Sequence, residues 1–508
     1  MANVDSVVNA YRRLPAWTAA AISILMLSAC GGAGNVSHPT TTASTQGTAD
    51  FATMIRDRVT TDAMMAHLTT LQHIADANGG NRAVGTPGYD ASVDFVANAL
   101  RSKGFDVQTP EFELRFPFAD PPEVTVGGTK VEAQPLEYTA GTPPQGVTGP
   151  LVPARVENSP GCTAADYDGM AVSGAVVLVD RGKCPFGDKQ LAAAARGAVA
   201  LIVADNVDDE QSGATLGEQT RVTIPVVSVT KADGARLRSR PGTATIKLNA
   251  GVRTERTRNV LAQTKTGSTH DVVIVGGHLD SVPAGPGMDD NGSGVAAVLE
   301  TALQMGSSPP VQNAVRFAFW SAEEIGLLGS ANYVQSLDVD QLEDIALYLN
   351  FDMLASPNAG YFTLDGDQSG PRDPQREAPR VPEGSAGIER ALVAYLKSAG
   401  KTAQDVSFQA RSDYESFTRA GIPAGAIFSG AETTMTAEEA RLWGGVAGQP
   451  YDPNYHQATD TLEHINRTAL GINGGGAAYV TALYSQDLGG RNGVPARDDR
   501  TRHVVAKP

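Results

Sequence analysis

The sequence has little cysteine and a deficit of positive charge. It holds three cysteines, Cys30, Cys162 and Cys184, in 508 residues, with no C-x-x-C pair, so no zinc-finger spacing exists. Lysine and arginine total 40 against 56 acidic residues, a formal charge of -16. No basic stripe offsets that balance, which argues against nucleic acid as a partner. The acidity otherwise reads as solubility. The motifs G-x-S-x-G, Walker A and G-x-G-x-x-G are absent, which removes serine-hydrolase and nucleotide-binding readings. Residues 130 to 250 contain no histidine, so no histidine-containing metal cluster arises in that segment.

Long apolar runs are lacking too. The run from Ala16 to Leu27 follows Arg12 and Arg13 and is too short to span a bilayer comfortably, so it fits a signal peptide. It ends in Leu27-Ser28-Ala29-Cys30, followed by Gly31 and Gly32. This looks like a bacterial lipobox, with Cys30 as the lipidated first residue of the mature chain; simple secretion after a small residue is the alternative. The chain is expected to be exported, either lipid-anchored in the cell envelope or extracellular, touching a membrane only through that anchor. Residues 1–29 are then the leader, and residues 30–50 are a flexible tether rich in Gly, Ser and Thr. With Cys30 lipidated, Cys162 and Cys184 either pair in an oxidising compartment or remain two thiols.

Three textures follow. Residues 61 to 103 carry helical spacing (Met64, Met65, Leu68, Leu71 and Ile74), broken at Gly79-Gly80-Asn81-Arg82, then a second helix from Ala91 to Ser102. Residues from about 130 to 250 show short strand-like runs, such as Ala175–Val179, Ala200–Val203 and Ile224–Val229, with an alanine-rich helix at 189 to 196. From about 257, strands and helices alternate: Val272–Val275, Val315–Trp320, Ile345–Phe351 and Ile422–Phe428 as strands, with helices from Gly294 and over Thr468–Tyr484. This alternation predicts an α/β fold, a mixed, mostly parallel sheet flanked by helices, whose chemistry collects at the carboxyl ends of the strands. The expected division is a main domain built from residues 51–130 and 253–488, an inserted domain over 131–252, and a disordered polar tail over 489–508.

His278-Leu279-Asp280 ends the first of these strands. His278 can bind a metal while Asp280 orients its ring, although an H-x-D pair alone reads more readily as a structural histidine. Asp290, in a Gly-rich turn before a helix, is either a cap or a metal-bridging carboxylate. Glu323 and Glu324 follow the second strand, where one can ligate and the other move a proton. Asp352 ends the third, and Tyr455-His456 lies in a later loop. Random surface acids do not repeat at one end of consecutive strands, so the set reads jointly as a metal site.

The segments Gly276–Ser281, Asp290–Gly294, Ser321–Gly326, Asn350–Met353 and Asp452–His456 resemble those of co-catalytic zinc aminopeptidases, the family of secreted bacterial leucyl aminopeptidases and fungal aminopeptidase Y. The resemblance spans about residues 60 to 490. It implies that the main domain has the zinc-exopeptidase fold, with its catalytic half over 253–488, and holds two zinc ions, one on His278 and Asp352, the other on Glu324 and His456. Asp290 would bridge them, with a cis peptide after it. It further implies Glu323 as general base, Asp280 as orienter, Tyr455 as oxyanion donor, and Arg411 and Phe428 near the bound substrate. The family's disulfide around the last histidine is missing; Asn454 and Thr459 stand in its place. Asp180–Phe186 and Lys189 through Ala198 resemble a protease-associated (PA) domain, a small β-rich α/β unit, which implies pairing of Cys162 with Cys184. The implied activity is removal of N-terminal residues from peptide substrates, and Phe428 points to apolar ones; the oligomeric state is left open, a monomer being favoured. The rivals are a zinc carboxypeptidase of the same clan and a non-enzymatic receptor on a peptidase fold.

Overall fold

The structure is a computed structural model, and it describes residues 42–155, 161–207, 214–370, 381–489 and 493–506. The leader, Cys30 and residues 31–41 of the tether lie outside the described residues. Residues 42–50, expected as tether, instead open an α-helix, Thr42–Arg58. Its later residues Ala52 and Ile55 are buried in the main core, and that burial holds a segment whose polar start resembles a linker.

Two eight-stranded sheets organise the chain. In the first, Asn313–Trp320, Ser268–His278, Ile345–Phe351 and Ala424–Phe428 run parallel at the centre. Their near-continuous apolar character fits strands covered on both faces. One face carries Thr61–Ala77, Pro87–Ser102, Gly294–Met305, Ser385–Ser398 and Arg467–Gln486; the other carries Leu328–Gln335 and Tyr414–Arg419. Antiparallel Val260–Gln263 flanks one side, and the short strands Phe362–Leu364 and Gln404–Val406 finish the other. The sheet is therefore mixed and mostly parallel at its centre.

The second sheet draws its strands from residues 123 to 247, with Val147–Pro153, Val176–Asp180, Ala200–Ala204 and Val226–Val229 parallel. Cys162 and Cys184 are joined by a disulfide in this region. A two-stranded ribbon, Glu111–Ala119 against Ala250–Arg258, carries the chain out to it and back. Phe112 and Leu114 on this ribbon pack against Ala322, so its base touches the loop that follows one of the central strands.

The tail also differs from expectation. Arg500 donates to the carbonyls of His270 and Glu343, and Arg502 to those of Leu342, Gly421 and Ile345. Both arginines are buried, so residues 493–506 are docked rather than disordered. Their guanidinium forks satisfy carbonyls around the start of the Ile345 strand, a use that a polar sequence does not reveal.

Candidate metal centre

Parallel pairing sets His278 beside Trp320 and Gly276 beside Asn350. The carboxyl ends of three adjacent strands therefore deliver His278, the Glu323–Glu324 pair and Asp352 to one place. Glycine is required at two points of close approach: a Cβ on Gly277 or Gly294 would come within 2.4 Å and 2.1 Å of the Phe351 carbonyl oxygen.

His278 is buried. Its Nδ1 lies 3.0 Å from the backbone carbonyl oxygen of Asp280 and 3.7 Å from the Asp280 carboxylate. The expected carboxylate partner is thus replaced mainly by that residue's own carbonyl. The Asp280 carboxylate instead accepts the backbone N–H groups of Glu323 and Glu324, at 3.2 and 3.3 Å. One residue thereby sets both the imidazole tautomer and the position of the glutamate pair.

Asp290 sits on the kinked turn Met288–Ser293, and its peptide to Asn291 is cis. The capping role falls on Asn291, whose Oδ1 accepts the Gly294 N–H at 2.9 Å while its Nδ2 donates to Phe351 O at 2.9 Å. Asp460 accepts the N–H groups of Asp289 and Asp290. Asp290 is left with both oxygens turned to histidines: Oδ1 is 3.2 Å from His278 Nε2, and Oδ2 is 3.2 Å from His456 Nε2.

Two triads share this carboxylate. His278 Nε2 also lies 3.4 Å from Asp352 Oδ1, and His456 Nε2 lies 3.0 Å from Glu324 Oε2. Donor atoms on a tetrahedral zinc, with bonds of about 2.0–2.1 Å, stand roughly 3.3 Å apart. The observed separations match that spacing, and the donors are the nitrogen and oxygen types that zinc takes. Glu324 Oε1 and Asp352 Oδ1 are buried and have no hydrogen-bond partner among the described residues. Two cations fit this set of residues. Glu323 Oε2 stands 3.9 Å from His278 Nε2, beside the His278–Asp352 pair.

The electrostatics agree. Burial opposes charge on His456, but hydrogen bonds and attraction from Asp290 and Glu324 push its pKa up to about 10. Burial also opposes charge on His278, and Glu323 and Asp352 outweigh it, raising its pKa. Burial and repulsion from Asp290 push Glu324 up to about 7. Glu323 is likewise raised by burial, with Asp352, Asp413 and Glu324 adding to it. This is an acid-rich pocket whose own counter-charges are few.

Sequence reading missed the groups that hold the site. Trp320 Nε1 donates to Tyr348 Oη, which donates to Asn350 Oδ1; Asn350 Nδ2 donates to Ser412 Oγ, which donates to Asp352 Oδ2. Arg82 is fully buried, and its guanidinium donates to the carbonyls of Leu279, Pro286 and Gly287. Burial brings it down to about 10, which leaves it cationic at neutral pH. Its only sequence signal was its place in the Gly79–Arg82 break.

Tyr455 stacks on the His456 ring with centroids 3.8 Å apart, and its Oη accepts a hydrogen bond from Arg411 Nη2 at 3.3 Å. Arg411 is also paired with Glu432 at 2.9 Å. Met353, Leu364, Val406, Ile427 and Phe428 line the same cleft as Asp290, Glu323, Glu324, Arg411 and Tyr455. Every residue singled out for catalysis, metal or substrate therefore reaches this region except Asp280, which supports it from behind.

Comparison with known proteins points the same way. The profile described as Peptidase family M28 matches residues 259–481, and the PA domain profile matches residues 147–237. The "Probable lipoprotein aminopeptidase LpqL" of Mycobacterium tuberculosis is 64% identical over 502 residues, covering 99% of this chain and all of that protein. "Leucine aminopeptidase 2" of Arthroderma otae is 38% identical, over 89% of each chain. The solved aminopeptidase from Aneurinibacillus sp. strain AM-1 superposes with a TM-score of 0.62 at 28% identity, covering 84% of this chain and 95% of its own.

Proposed function

This chain belongs to peptidase family M28 and carries a PA domain, and on that premise we propose that it is an exported zinc-dependent aminopeptidase that holds two zinc ions. The observation that carries the reading is Asp290, which offers one oxygen to each of two histidine–carboxylate sets. His278 and Asp352 would hold one ion and Glu324 and His456 the other, with Asp290 shared. When bound, the ions supply Lewis acidity at the scissile carbonyl and lower the pKa of the attacking water.

The chain's own groups do the rest. Glu323, buried and with a raised proton affinity, accepts the proton of the attacking water and returns it to the leaving amine. Burial keeps the Tyr455 phenol protonated. Arg411 donates to its oxygen, so the phenolic proton points outward to a developing oxyanion. The apolar wall with Phe428 receives the side chain of an apolar N-terminal residue, and the surplus carboxylates receive the substrate's free α-amine. Glu432 already pairs with Arg411, which weakens the case for a pocket that binds a C-terminal carboxylate. Cys30 would tether the enzyme to the envelope; the lipoprotein name of the relative from Mycobacterium tuberculosis supports this.

The test is a panel of aminoacyl-nitroanilides and N-blocked peptides, run before and after chelation. Free-amine substrates with Leu, Phe or Met should be cleaved, activity should vanish on chelation, and zinc should restore it. Release of C-terminal residues from N-blocked peptides would replace this reading with a carboxypeptidase, and stoichiometric zinc without turnover would replace it with a binding protein.

A further inference from the structure

A second group of acids lies on the opposite side of the sheet edge from the substrate cleft. Leu364 and Val406 are paired in the parallel ladder of Phe362–Leu364 and Gln404–Val406, and both line the cleft. The preceding pair, Thr363 and Asp405, faces the other way, because side chains alternate along a strand. Asp365, whose N–H continues the ladder to the Val406 carbonyl, falls on the same side as Thr363. Glu389, on the helix Ser385–Ser398, completes the group. One carboxylate oxygen from each of Asp365, Glu389 and Asp405 lies within 4.8 Å of the others. Oxygens on opposite sides of a calcium ion, each about 2.4 Å from it, span the same distance.

Asp365 and Glu389 are buried. The Asp365 oxygens accept the N–H groups of Ser369 and Gly370, and Glu389 Oε2 accepts that of Asp367. Asp405 accepts a long bond from Ser369 Oγ, at 3.4 Å. Burial, then the charges of Asp367, Asp405 and Asp365, push Glu389 up to about 7, so like charges crowd here, and among the described residues no basic side chain contributes to that shift. An independent observation comes from Thr363. It is fully buried on this same face, and its Oγ1 has no hydrogen-bond partner among the described residues. A hydroxyl left orphaned in the interior costs about 1–3 kcal/mol, and this one sits in the ladder position paired with Asp405 and two residues before Asp365, so a cation held by those acids would give it a partner.

We propose that Asp365, Glu389 and Asp405, with the Thr363 hydroxyl, form a binding site for a hard divalent cation of the calcium type. All donors are oxygens, which suits calcium rather than zinc. The ion would tie the helix Ser385–Ser398 to the two short edge strands whose other face forms the cleft wall at Leu364 and Val406. Its role is to stiffen that wall, and it is independent of the zinc chemistry.

The test uses the full, zinc-loaded protein, titrated with calcium chloride by calorimetry and by thermal unfolding. Sodium chloride at matched ionic strength controls for screening. One calcium should bind per chain and raise Tm by at least about 2 °C. Glu389→Gln and Asp365→Asn should each abolish that rise. In calcium-free buffer Glu389→Gln should be at least as stable as the parent, because it removes one of the crowded charges. No saturable heat and no Tm rise beyond the salt control would overturn the proposal and leave a proton shared between Glu389 and Asp405. A rise that persists in both variants would place the calcium elsewhere and overturn it equally. Neither readout depends on peptidase activity.

Discussion

Glu323 and Glu324 are neighbours with different chemistry. Glu324 Oε2 is 3.0 Å from His456 Nε2, whereas Glu323 Oε2 stands back at 3.9 Å from His278 Nε2. Glu323→Gln is therefore expected to keep its zinc, measured by elemental analysis, while kcat falls by at least about 10²-fold, the usual scale for a lost acid–base group. Undiminished turnover in a well-folded variant would remove Glu323 from the mechanism. A second expectation concerns pH. His456 holds its proton up to about pH 10 and Glu324 to about 7, so at neutral pH a cation must displace protons on binding. Zinc affinity, measured by competition with a chelator, should rise from pH 6 to pH 8 with proton release; a flat profile would contradict the arrangement. Four of the candidate ligands were legible in the sequence because His278, Glu324 and Asp352 follow apolar runs and Asp290 lies in a Gly-rich turn, whereas His456, in a loop after Asp452-Pro453, stood out only through the family resemblance. Asp280's split role was not legible, because the carbonyl that meets His278 leaves no trace in residue type. Arg82 and Ser412 were opaque for a related reason, since their partners are backbone carbonyls or residues about 60 or more positions away.

At the scale of elements, strand ends and the ribbon do the positioning. Asn259 follows the ribbon and is buried; its Oδ1 accepts the Ser321 N–H at 2.9 Å and its Nδ2 donates to Gly329 O at 3.0 Å. Thr257 is hydrogen-bonded to Ser321 at 2.6 Å. The base of the ribbon therefore grips the segment that leads into Glu323. Asn259→Ala should cost about 1–3 kcal/mol of stability by leaving a buried N–H and a carbonyl unpaired, and should lower kcat more than it raises KM. Denaturant unfolding and steady-state kinetics test both, and a kcat equal to the parent's would show that the Glu323 loop is held by other means. The parallel central strands were readable as apolar runs, whereas the order of strands across the sheet was not, because register is a long-range property. The edge strands Phe362–Leu364 and Gln404–Val406 span only three residues each, too short for periodicity to register.

Across the whole molecule, an M28 peptidase fold and a PA domain share one chain, and the sheet of the second begins and ends within the ribbon that supports the first. The family resemblance reached both domains from sequence alone. It did not reach the docked tail, where Arg500 and Arg502 serve carbonyls at the start of the Ile345 strand, nor the helix that starts at Thr42. The tail is held by distant carbonyls, and the helix is held by its later residues Ala52 and Ile55 in the main core. The proposed centre depends on the same long-range convergence: its candidate ligands are drawn from residues 278 to 456 and meet within hydrogen-bonding range. Anomalous diffraction at the zinc edge from crystals of the zinc-loaded enzyme examines that convergence most directly. Two zinc peaks per chain are expected, one on His278 and Asp352, the other on Glu324 and His456, with Asp290 bound to both. A single peak, or a peak away from these five side chains, would contradict the shared-carboxylate centre.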